Sequence, residues 1–110
     1  MSAPSSHETF AQRLRERLGA SGVLDAELRA AVTRAGAGDV VELEAPFGEL
    51  ARTIAEASYR VSDGQVAAVR DAVGSDKAAF EVVMSACVGA GLVRWDAATR
   101  AIEEAMDAAD

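Results

Sequence analysis

Residues 76–95 read DKAAFEVVMSACVGAGLVRW. Between Lys77 and Arg94 the only charge is Glu81, and apolar residues recur at Phe80, Val83, Met84, Cys87, Val88, Ala90, Gly91 and Leu92. A helix apolar over most of its circumference belongs at the centre of a fold or in an interface. Ser75 or Asp76 is placed to cap it. Ser85/Gly89, Ala86/Ala90 and Cys87/Gly91 are small pairs four residues apart. Such pairs let a second helix approach closely, although glycine lowers helix propensity. The run is rich in Gly, Ala and Ser and is broken by charge, so a buried core helix is the expected reading and a membrane span is not.

Helical signals continue on both sides. Downstream, Trp95 to Met106 continues or restarts the helix, with Ala98, Ile102 and Met106 expected to face inward, and residues 107–110 expected to fray. Upstream, Ser62 and Gln65 have capping-box spacing, Val66, Val69 and Val73 face inward, and Gly74 ends that helix. Pro46 suits the first turn of a helix whose stripe is Phe47, Leu50, Ala51, Ile54, Ala57 and Ser58, ending near Arg60. Val40 to Ala45 is expected to be an extended linker, with one edge strand as the alternative. A helix starting at Leu24 or Asp25 carries Leu28, Ala31, Val32 and Ala35 and stops at Gly36 and Gly38. Ser5 and Glu8 open a first helix with Phe10, Leu14 and Leu18 on one face. The pattern predicts an all-α fold, a compact bundle of five to six helices. Its expected divisions are a disordered leader (1–6), a single helical domain (7–106) and a frayed acidic tail (107–110).

Composition narrows the chemistry. The chain has 110 residues, 25 of them Ala, and a net charge of −7. That length buries one modest core. The acidic balance argues against a nucleic-acid or anionic-membrane partner. One Cys, Cys87, cannot make an intrachain disulfide, and with one His, His7, it cannot build a Cys/His zinc site, so no metal and no cofactor is expected. The N-terminus has neither a basic region nor an apolar one, which predicts a soluble cytoplasmic protein. Ten Arg to one Lys, with abundant Ala, Val and Gly, fits a GC-rich bacterial genome.

Residues 50–105, LARTIAEASYRVSDGQVAAVRDAVGSDKAAFEVVMSACVGAGLVRWDAATRAIEEA, carry a family resemblance. Ser62-Asp63, the helix from Val66 to Val73, and Ser75-Asp76 leading into a small-residue helix toward Arg94 stand in the order of the AhpD-like superfamily (alkylhydroperoxidase D and carboxymuconolactone decarboxylase). LDAELRAAV at 24–32 is similar to the helix that precedes the family's active site. The resemblance implies an AhpD-like bundle that self-associates as a dimer, trimer or hexamer. Its peroxidase members carry C-x-x-C-x-x-x-H before the Ser/Thr-Asp cap. Here the corresponding stretch, Pro46 to Thr53, reads PFGELART, without Cys or His. A thiol peroxidase needs a thiolate, a resolving thiol and a proton relay. The decarboxylase branch relies on a His, and none follows His7. The resemblance therefore implies the family's scaffold without its usual chemistry.

Cys87 reads as a small buried hydrophobe, or alternatively as a one-Cys redox centre. Glu81 reads as an acid held by the helix dipole or an Arg, or as a general base beside a pocket. Tyr59 reads as a buried Tyr with a bonded hydroxyl. Arg94 and Trp95 read as a cap and an interface or core aromatic, with an anion site as the alternative. His7 reads as a solvated residue at a helix start. The leading expectation is a self-associating scaffold or accessory protein. The alternatives are a divergent enzyme using Cys87, or Glu81 with Tyr59, and a small-molecule module with a cavity lined by Phe47, Ile54, Phe80 and Met84.

Overall fold

The computed structural model describes Thr9 and residues 24–109. The leader and the helix predicted over Phe10, Leu14 and Leu18 lie outside the described residues, apart from Thr9. The described chain is all-α: α1 (Ala26–Gly36), α2 (Ala45–Ala57), a 3-10 turn (Ser58–Arg60), α3 (Asp63–Val73) and α4 (Asp76–Ala109). The five or six helices expected reduce to four among the described residues. Trp95 to Met106 forms no separate helix, because nothing between Asp76 and Ala109 breaks the ladder. Among the described residues the glycines with positive φ are Gly38 and Gly74, so Gly89 and Gly91 stay helical.

The helix ends follow local chemistry. The Asp25 carboxylate accepts from the Glu27 N–H at 2.9 Å and caps α1. Val40 to Glu44 runs without helix or strand into α2, whose first turn holds Pro46. Ser62 and Gln65 form a complete capping box. The Ser62 hydroxyl accepts from the Gln65 N–H at 3.2 Å, and the Gln65 side chain accepts from the Ser62 N–H at 3.0 Å. Gln65 also donates to the Thr53 hydroxyl at 3.0 Å, tying α3 to α2. Gly74 closes α3 in the left-handed conformation, at φ 84°. The Ser75 hydroxyl accepts from the Ala78 N–H at 3.1 Å and starts α4. Asp76 bonds the Arg70 guanidinium, and that bond holds the Arg70 pKa above its ordinary value.

The core joins Val32 of α1, Phe47, Leu50, Ala51 and Ile54 of α2, Val69 of α3, and Ala79, Val82, Ala86 and Ala90 of α4. Burying a side chain such as Leu50 or Ile54 stabilises the fold by about 1.5–3 kcal/mol. The tightest contact is the crossing of α1 and α4. A Cβ on Gly89 would stand 1.9 Å from the Thr33 carbonyl oxygen, and one on Gly36 would stand 2.2 Å from that of Ala86. The helices meet backbone to backbone, and only glycine fits at either point.

This crossing corrects the expected orientation of α4. Its buried residues are Ala78, Ala79, Val82, Ser85, Ala86, Gly89 and Ala90. Phe80, Met84, Ala98, Ile102 and Met106, expected inside, are exposed. Both faces of the helix are apolar, so hydrophobicity does not choose between them. The close crossing does, because only the small-residue face fits against α1. At 34 residues α4 is about 51 Å long. It projects beyond the other helices and sets the long dimension of the molecule, 54 × 28 × 21 Å.

Candidate functional site

Pro46 to Thr53, the stretch that the resemblance singles out, lies on α2 with one face in the core and the other open. Phe47, Leu50 and Ala51 are buried, and only Glu49 and Arg52 are fully exposed. These positions offer no thiol and no imidazole.

The candidate site residues do not converge. Cys87 is exposed on α4, which corrects the expectation of a buried thiol. Glu81 is half-buried at the other end of the same segment, and its carboxylate accepts from the Leu24 N–H at 2.7 Å. Cys87 and Glu81 are six residues apart, about 120° apart around the helix, so they cannot share one pocket. Tyr59, expected to be buried, is 82% exposed on the 3-10 turn. The Arg60 guanidinium lies 5.7 Å from the centre of its ring. The turn leaves the α2 stripe after Ala57 and carries Tyr59 off the core face.

Arg94 donates to the Ala55 carbonyl at 3.0 Å, in the last turn of α2. It thereby satisfies a carbonyl that the end of α2 leaves without a helical partner. Trp95, next to it, is 42% exposed. Phe47 and Ile54 lie in the core, whereas Phe80 and Met84 lie on the opposite, open face of α4. These four residues therefore line no common cavity.

Two features escape the sequence reading. Arg29 is only 5% exposed, and its Nε and Nη1 atoms have no partner among the described residues, nor does the buried Ser85 hydroxyl. Arg29 lies at i−3 to Val32, so the apolar spacing of α1 carries it inward with that residue. A surface depression of about 370 Å³ opens where Asp39 and the Val40–Val41 linker meet Arg52 and Glu56 of α2. Glu56 also borders a second depression, with Thr53, Tyr59 and Arg60. The first depression joins separate segments of the chain and the second is local to the end of α2, and the described residues include no metal-binding cluster.

The most extensive feature is the outer face of α4. Phe80, Gly91 and Ile102 are eleven residues apart, as are Met84, Trp95 and Met106, and likewise Cys87 and Ala98. Eleven residues make about three helical turns, so the eight positions form one stripe about 100° wide. No charged residue falls within it between Phe80 and Met106. Phe80 is 62% exposed, Ile102 60% and Met106 66%. The helix is also long and apolar enough to cross a membrane by length and composition.

No protein-family model, curated protein or solved structure matches the chain.

Proposed function

We propose that this chain is a non-catalytic, AhpD-like helical scaffold that self-associates and serves as an accessory protein in the bacterial cytoplasm. The observation that carries this reading is the uncharged stripe from Phe80 to Met106, which gathers five of the eight exposed large hydrophobic side chains among the described residues. Patches of this kind mark interaction sites. The lack of Cys and His in Pro46 to Thr53 supports the absence of the family's chemistry. The AhpD-like assignment rests on the order of Ser62-Asp63, Val66 to Val73, and Ser75-Asp76 through Arg94.

Light scattering at tens of micromolar tests the reading. The monomer is 11.4 kDa, and the expected mass is a small integer multiple of it. A monomer mass overturns self-association. Turnover of an organic hydroperoxide, abolished by Cys87→Ser, overturns the non-catalytic reading and favours the divergent enzyme.

A further inference from the structure

We propose that the outer face of α4 pairs antiparallel with the same face of a second copy, with the two-fold axis near position 93. This deepens the self-association reading and rests on it. The stripe is close to palindromic about that point. An antiparallel partner sets Phe80 against Met106, Met84 against Ile102, Cys87 against Ala98, and Gly91 against Trp95. Large residues meet medium ones at the ends, small residues meet each other next, and the largest side chain meets the one without a Cβ at the centre. Gly91 is exposed, and a Cβ there would meet nothing within 4 Å. Among the described residues the glycine therefore has no packing reason, unlike Gly36 and Gly89. The exposed part of Trp95 from a second copy supplies one.

Charge and area favour the same pairing. Glu103, Glu104 and Asp107 crowd the C-terminal end of α4, while its N-terminal end carries Lys77 beside Asp76, which Arg70 neutralises, and Glu81 a turn on. Antiparallel pairing brings each acidic end to the partner's Lys77 and to the positive end of its helix dipole. Parallel pairing would stack the acidic ends on each other. At their exposed fractions the eight stripe residues offer roughly 600 Å² per copy, or roughly 1,200 Å² per pair, the lower edge of what stable interfaces bury. The core of each copy packs on the other face of α4. Among the described residues, the projecting half of one α4 can thus lie along the stripe of the other.

Disulfide trapping in the full-length Ala98→Cys variant tests the register. Within one chain, positions 87 and 98 are about 16 Å apart along the helix, too far for a disulfide, which needs Cα atoms within about 7 Å. Across the proposed pair they face each other. Under copper–phenanthroline oxidation the variant should run as a covalent dimer, with Cys87 of one copy bonded to the introduced cysteine of the other by peptide mapping. The unmodified chain should not cross-link, because antiparallel pairing keeps its two Cys87 residues about 18 Å apart along the axis.

A Cys87–Cys87 dimer of the unmodified chain overturns the antiparallel register and indicates parallel pairing. An oligomer by light scattering that yields no 87–98 bond overturns this interface but leaves self-association standing. A monomer overturns both, and one that co-sediments with phosphatidylglycerol vesicles assigns the stripe to lipid. Gly91→Leu gives a second reading. It should keep its helical circular dichroism while its dimer dissociation constant rises at least tenfold, and an unchanged constant contradicts the proposal.

Discussion

The two faces of α4 have opposite logic. The inner face is made of Ala78, Ala79, Ser85, Ala86, Gly89 and Ala90 with only Val82 larger, and it is buried. The outer face carries Phe80, Met84, Trp95, Ile102 and Met106, and it is open. The usual expectation, large apolar residues inside, is inverted. What decides is the distance between α1 and α4. Once Thr33 and Gly36 press against Gly89 and Ala86, side chains of any size are excluded from that side. The large residues are left on the outer side.

The contrast is easiest to break from the inside. Gly89→Leu forces a side chain into the Thr33 carbonyl and should destabilise by more than about 3 kcal/mol, at or beyond the upper end of ordinary overpacking. Thermal unfolding followed by circular dichroism would show a Tm drop large enough to leave the variant mostly unfolded at 37 °C. A Tm within a few degrees of the unmodified chain would mean the crossing is looser than described. On the outside, Ile102→Glu should leave monomer stability within about 0.5 kcal/mol. It should weaken association at least tenfold, about 1.4 kcal/mol, measured by dilution in light scattering.

Smaller effects sharpen the comparison. Ser62→Ala removes one half of the capping box far from both faces and should cost about 1 kcal/mol in urea unfolding, with no change in association. Arg29→Met replaces a buried guanidinium whose Nε and Nη1 lack partners. It should be neutral or stabilising by up to about 1 kcal/mol, since an apolar group there leaves no donor unsatisfied. A clear loss of stability would show that Arg29 makes an interaction beyond the described residues.

Much of the fold is legible in the sequence because it is written in local chemistry. Asp25, Pro46, Ser62 with Gln65, Gly74 and Ser75 mark helix ends through bonds within a few residues, and the structure places the ends there. The α2 stripe of Phe47, Leu50, Ala51 and Ile54 is likewise legible, since only one of its faces is apolar. The orientation of α4 is not. Its periodicity is satisfied by either face, and the choice depends on a backbone contact between residues more than fifty positions apart. The small pairs Ser85/Gly89 and Ala86/Ala90 do point to that contact, and Cys87/Gly91 lies on the other side. Of the candidate site, Arg94 as a cap of its own helix was not borne out, because α4 runs on to Ala109 and Arg94 instead reaches the Ala55 carbonyl at the end of α2. Nor was a buried Tyr59, because the change from α-helix to a 3-10 turn at Ser58 rotates it off the core face.

Sedimentation velocity of the unmodified chain beside Gly91→Leu, across 1–100 µM, tests most directly whether the outer face of α4 is covered by a second copy. The account predicts a dimer that dissociates on dilution for the unmodified chain, and a folded monomer for the variant over most of the range. A folded monomer for both, or a dimer of equal strength for both, would contradict it.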